Sequence, residues 1–332
     1  MVVRDKMKIP RLTTLVSVAV LVVLALFPVI GIPLSWLNYL FLFFIYLALA
    51  NMWNLLAGYT GLICLCPHAF VGLAGYTLAI GTQVGVPFQV GLIAGAAVAA
   101  LFALLISYPV FRMRGIYFAI GTLILPEALK AWFNFWRPVG NEYQGMGAGY
   151  SVTGVAGVTL EDTYWLGLAI VVASIFLVHI ILRARLGLGL TAIRDNENTA
   201  ASSGVNIFRL KLYSFLIAAF IMGIAGAAYF IFSPRINPVG GFSIRWLLMP
   251  LMATVIGGEG IEEGPIIGAA IVTFLTFQLA DYGAWSLLIQ GIILIVVVTV
   301  LPQGIAGLLR QVGAYRFPLR LLQAAEGKIH KT

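Results

Sequence analysis

The chain has 332 residues, of which 61% are hydrophobic and 10% charged, with a mean hydropathy of +1.01 and a formal net charge of +8. Soluble domains carry about 25% charged residues, so the composition excludes a large water-soluble domain. Runs of roughly 18–22 apolar residues recur, each long enough to cross about 30 Å of hydrocarbon as a helix, and the alternating pattern of a membrane barrel is absent.

Taken in chain order, the apolar runs predict ten spans, at 12–32, 36–56, 62–82, 88–108, 115–136, 164–182, 212–232, 246–256, 265–280 and 285–301. The first is too long for a signal peptide and lacks a small-residue cleavage site, so it is read as a span. The third is broken by Pro67, and the eighth is short and runs into the glycine-rich stretch 257–264. The fold class is therefore all-α: a polytopic helix bundle with broken helices and inverted repeats. With the N-terminus inside, sixteen of the 20 Lys/Arg fall on inside segments, as the positive-inside bias requires. Both termini are then cytoplasmic, and the net charge needs no nucleic acid to account for it. One transmembrane domain covers 1–332: a first half at 12–182, a cytoplasmic loop at 183–211, a second half at 212–310 and a cytoplasmic tail at 311–332.

Two segments interrupt the apolar pattern. One is Ala57-Gly58-Tyr59-Thr60-Gly61, followed by Pro67 and His68. The other is Gly257-Gly258-Glu259-Gly260, followed by Gly264-Pro265 and Gly268. Interrupted helices in corresponding halves mark a substrate route in transporters, and irregular backbone at membrane depth is tolerated where it lines a cavity or is buried in protein. The second stretch equally fits a tight cytoplasmic turn. Asn54 fits either helix packing or contact with solute, and His68 is a candidate on the route because it sits at a break. Glu127 and Lys130, three apart on the fifth span, form either a polar point on the route or a structural ion pair. Pairs such as Gly72/Gly75, Gly91/Gly95 and Gly223/Gly226 allow close helix contact. Cys64 and Cys66 are too few for a metal site by themselves and read as packing residues.

The loop 183–211 carries five Lys/Arg and two acids between long apolar runs. Its stretch Thr191–Ala201 predicts one short helix stopped by Gly204. It reads as a solvated connector or as a foot that docks on a partner, with Arg194, Asp195 and Glu197 at the rim. No phosphate-binding loop, zinc-protease motif, nucleophile elbow or dinucleotide fingerprint is present. If this chain's work is driven by ATP, the hydrolysis belongs to another subunit.

Several co-linear motifs resemble the LivM-type permeases of branched-chain amino acid ABC importers, over about Ala48 to Leu309. Leu55-Leu56-Ala57-Gly58-Tyr59-Thr60-Gly61 is similar to the family's N-L-L-x-G-Y-x-G. Phe70, Gly72, Gly75 and Tyr76 follow its A-F-F-G-I-G-A-Y, and Arg114 to Ile120 with Thr122 and Glu127 follows R-G-I-Y-F-A-I-x-T-L-x-x-x-E. Ala192-Ile193-Arg194-Asp195-Asn196-Glu197 with Ala200, Ala201 and Gly204 resembles its coupling segment. Ile256 to Gly268 resembles I-G-G-x-G-[ST]-x-x-G-[PA]-x-x-G, and Pro302-Gln303-Gly304 its closing P-x-G. Where the family shows S-L-G-H-A, this chain has Cys64-Leu65-Cys66-Pro67-His68.

The resemblance implies a non-catalytic permease in a prokaryotic inner membrane, working by alternating access. Its partners would be two ABC ATPases that hold ATP and Mg, a second LivH-type permease and an extracytoplasmic binding protein. The chain itself would bind no cofactor. Ala192, Ile193, Arg194, Asp195, Glu197, Ala200, Ala201 and Gly204 would contact an ATPase. Asn54, Pro67, His68, Glu127, Gly257 and Gly258 would lie on the translocation route. The departure at 64–68 leaves urea, short amides or aromatic compounds as alternative solutes. An ion-coupled secondary carrier is the other class, and it would place more carboxylates or histidines at mid-span.

Overall fold

The computed structural model describes residues 23–28, 33–140, 145–155, 157–283, 285–301 and 303–310. Helix α1 (Leu34–Asn54) continues through a wider π turn, Leu55–Tyr59, and is followed by an irregular segment, 61–66. Then come α2 (Pro67–Gln83), α3 (Phe88–Val110), α4 (Ile116–Phe135), α5 (Leu160–Arg183), α6 (Arg185–Asp195), α7 (Glu197–Ser202) and α8 (Ile207–Phe232). A short turn of helix, α9 (Pro238–Gly241), precedes α10 (Arg245–Gly257), α11 (Gly264–Gln278) and α12 (Trp285–Val300). The helical bundle carries one small addition that the sequence did not announce. A two-residue antiparallel ladder pairs β1 (Tyr150–Ser151) with β2 (Arg235–Ile236).

Among the described residues, seven helices are long and apolar enough to cross a membrane: Leu34–Tyr59, α3, α4, α5, α8, Pro238–Gly257 and Leu288–Arg310. This makes the chain a polytopic helical membrane protein. The expected first span, 12–32, lies outside the described residues except for 23–28, as do the basic residues of both termini apart from Arg310. The expected third span shortens to the 17 residues of α2. Proline lacks the N–H and disfavours helix in the residue before it, so Pro67 opens the helix rather than sitting inside it. The expected ninth span becomes the 15-residue α11.

The core is built on backbone approach. α2, α3 and α8 pack as a trio in which glycines face the neighbouring main chain. A Cβ on Gly95 would lie 2.6 Å from the Ala74 carbonyl oxygen, one on Gly226 2.7 Å from Val71 Cα, and one on Gly223 3.0 Å from Ala96 Cα. Without a hydrophobic drive between helices in lipid, such close van der Waals contact supplies the association. α10 and α11 form a second close pair, since a side chain on Gly257 would overlap the Gly264 carbonyl and one on Gly268 the Ala253 carbonyl. The buried α1 joins the two groups. Thr254 on α10 donates to its Ala50 carbonyl at 3.1 Å, and its Asn51 donates to Ser174 on α5 at 3.2 Å.

The same geometry sets a contrast. Gly268→Val forces overpacking that costs about 1–3 kcal/mol or more, and we expect loss of the monodisperse peak in size-exclusion chromatography. Gly291→Ala on α12, where an added Cβ meets open space, is expected to hold or raise the melting temperature, by up to about 1 kcal/mol of helix propensity.

Candidate functional site

The loop 183–211 folds as two helices, not one. α6 turns back on the end of α5, and Gly187 makes this possible because its Cβ would lie 2.5 Å from the Leu182 carbonyl oxygen. The expected single helix over 191–201 breaks at Asn196, whose backbone is extended (φ −160°, ψ 110°). Its side chain accepts from the N–H groups of Asn198 at 3.0 Å and Thr199 at 3.1 Å, so it starts α7 instead of continuing α6. Gly204, at φ +82°, closes α7. Its N–H donates to Ala201 and that of Val205 to Ala200, satisfying the last carbonyls of the helix.

The eight loop residues singled out from the sequence divide by direction. Ile193 and Ala200 are buried and Ala192 is half-buried, while Asp195, Ala201 and Gly204 are exposed. Glu197 turns to Lys211 on α8, with Nζ and Oε1 3.0 Å apart and the lysine almost wholly buried. Arg194 does not simply edge a rim. Its Nη1 donates to the Gly58 carbonyl at 2.8 Å, and Nη2 to Asp195 at 3.2 Å. A groove of about 490 Å³ runs beside this foot, lined by Arg185, Leu188, Gly189, Val205, Arg209 and Tyr213 among others.

Arg194 thereby reaches the first helix break, and that break is joined to the second. Asn54, fully buried at the end of α1, accepts from the Gly260 N–H at 2.8 Å and donates to the Ile261 carbonyl at 3.0 Å. Both atoms of its amide are engaged by the loop 258–263. Gly58 leaves room for this clasp, since a Cβ there would lie 2.5 Å from Gly260 N. Gly260 in turn leaves room for the guanidinium, with its own Cβ position 3.0 Å from Arg194 Nη1. Gly257 and Gly258 sit in the turn between α10 and α11, where Gly258 (φ +124°) also receives Gly304 from the closing segment. Two side-chain contacts flank the loop, a hydrogen bond between His179 and Glu262 at 3.0 Å and an ion pair between Arg310 and Glu263 at 2.6 Å. The Glu259 carboxyl is raised above its ordinary range, chiefly by desolvation, with Arg194 opposing the shift.

The remaining residues expected on a route lie apart from this node. Pro67 is the first residue of α2 and is followed by His68, which is buried with no hydrogen-bond partner on Nδ1. The irregular segment before them is held by Leu65 N–H donating to Thr122 Oγ1 at 3.0 Å, and by Trp53 Nε1 donating to the Cys64 carbonyl at 2.9 Å. Glu127 pairs with Lys130 at 3.4 Å on the exposed side of α4. Three contacts carry no signal in the sequence, Arg194 to Gly58, Asn54 to Gly260 and Glu197 to Lys211. Only the clustering of glycines near 58 and 260 hinted that backbones would meet there.

A family model described as the permease component of branched-chain amino acid transport systems matches residues 35–298. The high-affinity branched-chain amino acid transport system permease protein LivM of Salmonella typhimurium is 26% identical over 292 residues, covering 80% of this chain and 68% of the relative. The LivH permease of the same organism is 28% identical over 159 residues, 45% of this chain and 48% of the relative. A probable LivM of Methanocaldococcus jannaschii is 26% identical over 194 residues, 57% and 54%. No solved structure matches the chain.

Two substitutions probe the node. Glu197→Gln leaves the Lys211 ammonium without its counter-charge and is expected to lower stability by about 1–3 kcal/mol, read as a falling melting temperature in detergent. Gly58→Ala drives a methyl into the Asn54–Gly260 clasp and is expected to cost about as much. A Gly58→Ala protein as stable as the parent would show that the two breaks do not depend on each other.

Proposed function

The chain belongs to the family of permease components of branched-chain amino acid transport systems, and from that premise we propose that it forms half of the translocation route of an ATP-driven importer. It is a membrane permease for branched-chain amino acids. Its own residues supply no recognised machinery for hydrolysis, so in this reading two separate ATPase subunits hold ATP and Mg, and the chain is not an enzyme. A second, LivH-type permease completes the route, and an extracytoplasmic binding protein delivers solute to the outer loops 137–163 and 233–245. The bilayer is the inner membrane of a prokaryotic cell, with both termini in the cytoplasm.

The observation that carries this reading is the two-sided foot. One side of α6 and α7 is bonded to the first helix break and to α8, and the other side leaves Asp195, Asn198, Ala201 and Gly204 open. A connector needs no such inward attachment. An ATPase that grips the open side acts through Ala192, Ile193, Arg194, Asp195, Glu197, Ala200, Ala201 and Gly204 as one body. Closing of the ATPases then biases a two-state bundle between outward and inward access. Asn54, Gly257 and Gly258 belong to the inner mouth of the route as structural parts of its hinge, and Pro67, His68 and Glu127 to its walls. A second reading is favoured by one observation, the Cys64–His68 sequence that replaces the family's usual S-L-G-H-A. It keeps the same machine and changes the solute to urea, a short amide or an aromatic compound.

Reconstitution tests both readings. In proteoliposomes holding the chain, its partner permease, the ATPases and the binding protein, leucine uptake is expected to require ATP. Ala201→Arg, on the open side of α7, is expected to reduce uptake at least about tenfold, equivalent to 1.4 kcal/mol of lost docking, without altering the elution profile of the permease. Uptake of urea or an amide in place of leucine selects the second reading. Uptake by the purified chain alone, without nucleotide, sinks the first and second together.

A further inference from the structure

Several spans leave much of their surface outside the bundle, and they are not alike. α12 presents Leu288, Ile292, Ile295 and Val298 with no charged residue, a surface that hydrocarbon accepts. α4 is as poorly covered by the rest of the chain, and it exposes Ile120, Ile124, Trp132 and Phe135. Among these lies the Glu127–Lys130 pair, in which the glutamate side chain is 57% exposed. Glu127 stands eight residues before the end of α4, which places it about 12 Å into the span at 1.5 Å per residue. Charges at that depth face a bundle interior or a water-filled cavity and not lipid tails.

Bulk water does not serve as the sole neighbour either, because the large exposed side chains around the pair are isoleucine, tryptophan and phenylalanine. Lipid and bulk water thus both fail as the neighbour of this face, which leaves protein.

We propose that the outer face of α4 is the seam on which the second permease subunit packs. This rests on the importer reading above and goes beyond it by choosing the face. The occupant is a chain related to this one, because LivM and LivH of a single organism both resemble it over long stretches. Two chains of one fold pack face to face about a pseudo-twofold axis by bringing equivalent surfaces together. The Glu127–Lys130 pair then lies between the two subunits, beside the route they share, and α12 is left to the lipid.

The test uses the full complex in membranes, with single cysteines placed at Ile120 or Ile124 on α4 and at Ile292 or Ile295 on α12, each carrying a photoactivated crosslinker. Both α4 positions are expected to give an adduct with the second permease, and both α12 positions adducts with lipid only. Four outcomes overturn the proposal. These are adducts to the second permease from α12 alone, lipid adducts from α4, free labelling of α4 by a membrane-impermeant maleimide with no protein adduct, and an α4 adduct to a second copy of this chain. If no second permease co-purifies with the complex, it is the importer reading that fails, and the seam fails with it.

Discussion

Backbone meeting backbone is the contact on which this molecule depends. In hydrocarbon, helices gain nothing by hiding apolar side chains from one another, so association comes from how closely two main chains approach. Gly95 against Ala74, Gly226 against Val71 and Gly268 against Ala253 leave no room for a Cβ. The same device recurs at the candidate site, where Gly58 and Gly260 bring two interrupted helices within reach of one asparagine. Core and site are thus held by one kind of contact, and the site is the place where that contact is supplemented by hydrogen bonds.

Those supplements follow from the cost of irregular backbone. A helix that stops inside or near the membrane frees N–H and carbonyl groups that water cannot reach. The first break spends its freed groups locally, with Gly61 N–H to Ala57 and Leu62 N–H to Leu56. One carbonyl, that of Gly58, is left for Arg194. The second break gives one donor and one acceptor, at Gly260 and Ile261, to Asn54. An arginine and an asparagine therefore occupy these positions for a reason beyond polarity, since each returns a partner to backbone that the break has stripped.

The sequence made the class and most spans legible because hydropathy over about 20 residues is a local property. It also marked Gly204 as a helix stop, and the glycine pairs of α2, α3 and α8 as sites of close approach. It misjudged what depends on partners distant in the chain. Asn196 breaks the loop helix through its own side chain, a choice that composition alone does not settle between capping and continuation. Arg194 read as a rim residue because arginine in a polar loop ordinarily is one, and its acceptor lies 136 positions away. Asn54 and Gly260 are separated by 206 residues, with no periodicity to connect them. The shortening of the third span was readable in principle from Pro67, which sits at the start of a helix far more comfortably than within one.

The attachments of the foot differ in kind, and the difference has a mechanical meaning in the proposed function. Toward α8 the foot is held by a nearly buried ion pair, Glu197 with Lys211, which is expensive to break because it strands a charge. Toward α1 it is held by a hydrogen bond from Arg194 to a single carbonyl, with the guanidinium still half in solvent and supported by Asp195. α1 and the α10–α11 turn are joined to each other by both atoms of the Asn54 amide. α8 itself packs against α1, with Phe232 on Phe41 at 4.8 Å between ring centroids, so the single bond from Arg194 is the weak polar tie of the foot and not the whole link between the helices. A load applied at the foot opens the weakest tie first, because one hydrogen bond to a carbonyl is lost at less cost than the counter-charge of Lys211. Movement of the foot against the helix breaks is therefore favoured at Arg194.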